Sequence, residues 1–167
     1  NNNFDVLNKT PEEGGTGFLG DVDEFFSRRK DGDVIGDVDN AKRWINSVLP
    51  SVPVFIKKGL LRMNELGDQA NGAFVKSMIL LSDMMTPGTE FHEAFHAVFR
   101  LYLNTKQQND ILDEARQRWG VPTEEDLKSE GVDNAEIWYE EKMAEAFKMF
   151  MLTHGKFRLP KRTRSFF

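Results

Sequence analysis

The chain has no cysteine among its 167 residues and only three histidines. The first absence excludes disulfide staples, thiolate metal ligands and a cysteine nucleophile, so any metal has to be held by histidine and carboxylate. No apolar run approaches the roughly 20 residues of a membrane-spanning helix, and no secretory leader pattern stands ahead of the fold. Basic charge is in deficit, 22 Lys and Arg against 27 Asp and Glu, which gives no reason to invoke nucleic acid or a membrane surface as partner. What is present, 40% hydrophobic and 29% charged residues, is the composition of a globular protein, in a length that builds one core rather than two.

One stretch carries chemistry. Thr86-Pro-Gly-Thr-Glu-Phe-His92-Glu93-Ala-Phe-His96-Ala-Val-Phe-Arg100 contains His-Glu-x-x-His. On an α-helix two histidines four residues apart lie one turn apart on one face, with the glutamate beside them, an arrangement suited to a zinc ion and a general base. Three fixed positions recur by chance, so the motif needs a helix and a third ligand. Thr86 as N-cap with Pro87 at the first helical position predicts the helix. The bulky Phe91, Phe95, Val98, Phe99 and Leu101 predict that it is buried on most sides, as a rigid ligand platform must be.

Around this helix the pattern is mixed. Residues 1–20, rich in Asn, Gly and Glu, read as a loop or an arm laid over the domain. From Asp21, Val22, Phe25 and Phe26 predict a short amphipathic helix ending at Arg28-Arg29-Lys30. Asp31 to Asp39 has the acidic spacing of a calcium loop, but Ile35 stands where an oxygen ligand belongs and Lys42 where the closing glutamate should be, so it reads as a turn. Asp39 is the expected cap of a helix whose apolar face is Ala41, Trp44, Ile45 and Val48, stopped by Pro50. Residues 52–56 read as a strand and 72–82 as one longer strand or a tight pair. Helices follow at Thr105–Trp119, after Thr123 with Asp126 in a capping box, and from Asn134 to His154-Gly155. The tail from Lys156 is basic and reads as a solvated linker; together with the start at Asn1-Asn-Asn it suggests a domain cut from a longer polypeptide. The expected organisation is thus an arm and helices over 1–50, the domain proper over 51–155, and a tail over 156–167.

The last long helix offers the missing ligand. Glu141 and Glu145 are four apart and share a face on a helix otherwise apolar at neighbouring positions. Two like charges on a buried face need a cation or donors to meet them. A zinc ion accounts for one, and a ligand histidine, whose second ring nitrogen must donate to a fixed acceptor, accounts for the other. The alternative is an exposed acidic stripe with Glu140 and Lys142 beside it. The third histidine, His154, follows the end of the same helix and is a further possible ligand.

His-Glu-Ala-Phe-His together with Glu141-Lys-Met-Ala-Glu145-Ala-Phe147 resembles the gluzincin group of zinc metallopeptidases, and most closely catalytic domains of the anthrax lethal factor type. The wider frame, Gly72-Ala-Phe-Val, then Ile79-Leu-Leu-Ser82, then the motif, is similar to peptidase-like domains in very large proteins of tailed phages, including the crAss-like group. The resemblance covers about residues 72–155. It implies an α+β zincin-like fold with a small mixed sheet, an active-site helix and a C-terminal helix carrying the third ligand. It also implies one zinc ion on His92, His96 and Glu141, Glu93 as general base, and Glu145 as the residue orienting a ligand histidine.

One position departs from the pattern: where the lethal factor type has a tyrosine upstream of the ligand glutamate, Asn134 stands here. Tyr139, two residues before Glu141, would point some 200° away from it on a helix. The oxyanion donor is left between His154, Tyr139 and Tyr102. A peptide substrate is expected to add as an extra strand along Phe74-Val75-Lys76-Ser77-Met78-Ile79. The sequence reading is therefore a zinc metallo-endopeptidase domain of a larger, phage-encoded protein, cytoplasmic or virion-associated, cleaving its parent or a host polypeptide. The rivals are a zinc-binding zincin-derived module without turnover and a zinc hydrolase acting on a non-peptide amide; the lack of cysteine counts against a deformylase-like site.

Overall fold

The computed structural model describes residues 24–63 and 67–167, and the arm expected over residues 1–20 lies outside them. The fold is mixed α and β. Five strands, β1 (Glu24–Arg28), β2 (Val54–Lys57), β3 (Leu61–Arg62), β4 (Gln69–Val75) and β5 (Met78–Ser82), form one sheet in the order β1-β4-β5-β2, with β3 pairing to the start of β4. Among the described residues only the β2–β5 pair is parallel; β1, β3 and β5 all run antiparallel to β4.

β1 corrects the expected first helix. Two adjacent phenylalanines followed by basic residues fit a helix end, but β4 needs a hydrogen-bonding partner along this edge, and Glu24–Arg28 supplies it, with Phe25 opposite Phe74. As a strand the segment sends alternate residues to one face. Phe25 is thereby buried and Ser27 points the same way, both toward the motif helix.

The 72–82 segment is the tight pair, turning at Lys76 and Ser77, both exposed and both with positive φ, 50° and 65°. Two successive left-handed residues make a type I′ hairpin turn, which normally takes Asn-Gly. Because β4 lies between β1 and β5, and β5 between β4 and β2, the expected substrate edge over Phe74–Ile79 is not an edge. Phe74 and Ile79 are core residues and Lys76 and Ser77 form the turn. An apolar strand beside a motif helix looks alike in sequence whether it is the last of the sheet or the middle one.

The helices are α1 (Val38–Val48), α2 (Thr89–Ala97), α3 (Thr105–Trp119), α4 (Glu124–Glu130), α5 (Ala135–Leu152) and α6 (Lys161–Ser165). The cap of α1 is Asp37, whose carboxylate accepts from the Asn40 amide at 3.0 Å, and Asp39 falls in the first turn instead. Likewise α2 begins at Thr89 behind Gly88, two residues later than the Thr86 cap implied. The caps at Asn104, Thr123 and Asn134 are each closed by a side chain accepting an amide in the first turn. Helix α2 lies against β4, β1 and β5 on one side and α5 on the other, and α3 packs on α5.

The basic tail is not a solvated linker. Leu159 and Thr163 are buried, and Glu114 of α3 caps α6 by accepting from the amides of Arg162 and Thr163. Phe167 then stacks on Phe95 with ring centres 5.2 Å apart and lies 4.7 Å from Phe147, closing the core over the motif helix. No helix among the described residues is long and apolar enough to cross a membrane.

The hairpin turn yields a test. Replacing Lys76-Ser77 by Asn-Gly relieves two strained left-handed residues, and is expected to stabilise the chain by about 1 kcal/mol or more, raising the midpoint of thermal unfolding by about 2–4 °C.

Candidate metal centre

The motif stripe of α2 faces α5 across a seam. His92 and His96 present their Nε2 atoms to one another at 3.3 Å. Glu141 reaches between them, its two carboxylate oxygens 3.3 Å from His92 Nε2 and 2.9 Å from His96 Nε2. All three can offer one ligand atom within 4.8 Å of the others, and both histidines are buried.

The second nitrogen of each ring is fixed as well. His92 Nδ1 lies 3.0 Å from Glu145. His96 Nδ1 lies 2.7 Å from Glu140, a residue sequence reasoning passed over as part of an exposed stripe. Glu140 is 0% exposed, and Arg100 donates to it from Nε at 3.3 Å and Nη2 at 2.7 Å. The one sequence signal lies on α2: Arg100 continues the stripe His92, His96 by four more residues, so it faces the same partner helix. Glu140 and Glu141 together straddle His96, while Glu141 and Glu145 straddle His92.

A carboxylate held by Arg100 accepts, so His96 carries its proton on Nδ1; Glu145, held by Lys148 at 2.7 Å, imposes the same on His92. Both Nε2 lone pairs then face each other and an ionised Glu141, an arrangement that only positive charge in the seam satisfies. Two nitrogens each about 2.0–2.1 Å from a tetrahedral ion stand about 3.3 Å apart, the separation found here. Two imidazoles and a carboxylate therefore fit a first-row divalent ion, zinc among them.

Protons on the two imidazoles supply such charge as well as a metal ion does. Burial opposes a charged His92, but hydrogen bonds to Glu141 and Glu145 outweigh it and raise its pKa to about 10. Burial opposes charge on His96 too, yet the Glu141 charge and the bond to Glu140 raise it to about 9. Burial acts to raise Glu141, and the charges of His96 and His92 with their hydrogen bonds reverse this, holding it well below the usual carboxylate range. The seam binds positive charge strongly.

Glu93 sits behind this seam. It is 0% exposed, and Ser27 of β1 donates to its Oε2 at 2.5 Å. Its Oε1 has no hydrogen-bond partner among the described residues. Burial raises its pKa to about 7 against the opposing influence of His92, His96 and the Ser27 bond. Close approach of β4 is needed here: a Cβ on Gly72 would stand 2.6 Å from Thr89 Cγ2 and 3.4 Å from Glu93 Cγ. A cavity of about 450 Å³ opens over His92, with Phe26, Ser27 and Arg28 of β1 on one wall and Glu141, Glu145 and Lys148 of α5 on the other.

None of the expected oxyanion donors reaches this cavity. The Tyr139 hydroxyl donates to the Gly120 carbonyl at 2.8 Å in the core, and Tyr102 is buried. His154 is exposed beyond the end of α5, roughly 20 Å of helix from Glu141 at 1.5 Å per residue. It is therefore no alternative ligand either. Asn134, at the place of the expected tyrosine, is the α5 cap, its side chain accepting from the Ile137 amide at 2.9 Å.

No family model, curated protein or solved structure matches this chain. The functional reading therefore stands on the geometry of the seam.

Two measurements follow. Elemental analysis of the purified chain is expected to find one transition-metal equivalent, falling to near zero in His92→Ala and in Glu141→Ala, and adding the metal back should raise the parent's melting temperature. Gly72→Ala, which drives a methyl group into Thr89 and the Glu93 stem, is expected to cost about 1–3 kcal/mol in chemical denaturation.

Proposed function

We propose that this chain is a zinc-dependent metallo-endopeptidase domain in which His92, His96 and Glu141 hold the ion and Glu93 is the general base. The observation that carries the reading is the paired bracing of the ligand histidines, each with Nε2 turned to Glu141 and Nδ1 tied to a further carboxylate. Catalytic zinc sites have three protein ligands and one open position, and the cavity above the seam leaves room for that position. Zinc held there supplies Lewis acidity toward a carbonyl and toward water.

The chain's own groups do the rest. Glu93, with its pKa near 7, takes the proton of the attacking water and returns it to the leaving amine. Ser27 holds one oxygen of that carboxylate and leaves the other free for the proton. Among the described residues β1 is the sheet edge beside the cavity, so an extended substrate adds there as a further strand rather than along β4 or β5. Its substrate is a polypeptide, either the larger protein that carries this domain or a host protein.

The second reading is a zinc-binding module that keeps the ion without turnover. It is favoured by the full burial of Glu93, which does not line the cavity, and by the placement of all three expected oxyanion candidates away from that cavity. Cleavage-site profiling on a proteome, comparing the parent with Glu93→Gln, separates the two. The peptidase predicts new termini that depend on Glu93 while the variant keeps its metal; equal, background-level cleavage by both leaves the inert module.

A further inference from the structure

We propose that Arg100 and Glu140 form a positioning pair that locks the ring of His96 and thereby sets the affinity of the metal centre. The inference rests on the metal reading above but concerns residues outside the ligand set.

The two histidines are braced unequally. Glu145, which braces His92, is 40% exposed at its side chain and is met by a lysine, Lys148. Glu140 is 0% exposed, and its partner is a guanidinium. An arginine grips a carboxylate with a planar fork, whereas a lysine offers a point charge on a flexible stem. The Arg100 fork takes Oε1 at 2.7 Å through Nη2 and Oε2 at 3.3 Å through Nε, so the carboxylate plane is fixed and Oε2 is presented to His96 Nδ1 at 2.7 Å.

Arg100 is itself held. Its guanidinium carbon lies 4.8 Å from the ring centre of Phe25, and Phe25 stacks on His96 with centres 4.2 Å apart. It sits in a single π-helical turn, Val98–Tyr102, closed by the Leu103 amide on the Val98 carbonyl at 3.1 Å, with the Gln108 side chain meeting the Phe99 carbonyl at 2.8 Å. Such turns are rare and frequently mark functional sites. Fork, carboxylate, imidazole and phenyl ring thus constrain one another, and His96 enters the seam in one rotamer and one tautomer.

A pair serving only the fold can be replaced by apolar residues of similar volume without loss; a pair that orients a ligand cannot. The test is zinc affinity of the full chain by chelator competition, with the His96 Nδ1–H resonance followed by NMR and melting of the metal-free chain as a fold control. The double variant Arg100→Met with Glu140→Met is expected to bind zinc about 10–100-fold more weakly, to lose the hydrogen-bonded Nδ1–H resonance, and to keep its melting temperature. A folded double variant that binds zinc as tightly as the parent overturns the proposal and leaves the metal reading standing. A parent that takes up no zinc overturns both. Should the double variant fail to fold, Arg100→Lys decides: it keeps the charge but not the fork, so a roughly 10-fold loss with a shifted resonance supports the pair, and unchanged affinity and resonance overturn it.

Discussion

Two imidazoles, three carboxylates and a guanidinium are pressed into the seam between α2 and α5, and the rest of the structure accommodates that burial. Each buried ion costs several kcal/mol in lost hydration unless it is paired in good geometry. The seam answers with two chains of contacts, Arg100–Glu140–His96 and Lys148–Glu145–His92, which meet at Glu141. Neither helix supplies a balanced set alone: α2 brings the histidines and α5 the carboxylates. Their relative position is held from behind by apolar contacts of Phe95 with Phe99, Phe147 and Phe167.

The sheet contributes through one strand and one missing side chain. β1 places Phe25 against the His96 ring and Ser27 on Glu93, so the strand that edges the cavity also fixes the groups beneath it. Gly72 lets β4 come close enough to α2 for this to occur. Glu93 is consequently gripped by protein on one oxygen and shielded from the cavity. Its raised pKa is a consequence of that burial.

Much of the site could be read from spacing, because helical periodicity is local. His92 and His96 four apart, and Glu141 and Glu145 four apart, fix which side chains share a face before any tertiary contact exists. The cost of leaving two carboxylates on an apolar face then argues for a partner. Asn104, Thr123 and Asn134 mark their helix starts for the same local reason. Glu140 was passed over because it neighbours Glu141 on a different helical azimuth, and sequence alone does not show that His96 comes round to meet it. Tyr139 and His154 kept a place among catalytic candidates only because proximity in sequence to Glu141 says nothing of distance across a helix or along it.

The sequence by itself determined the two ligand-bearing helices and which residues each can present, since backbone hydrogen bonding and a 3.6-residue repeat leave little choice. It also determined that any metal is held without a thiolate. Only the tertiary structure decided that Phe25 and Ser27 belong to a strand, that β4 is interior, and that the tail with Phe167 seals the core. Strand formation depends on a partner far away in the chain, and burial of a terminal segment depends on the surface waiting for it. The Arg100–Glu140–His96 lock is of the same kind, three residues on two helices whose meeting is a matter of packing.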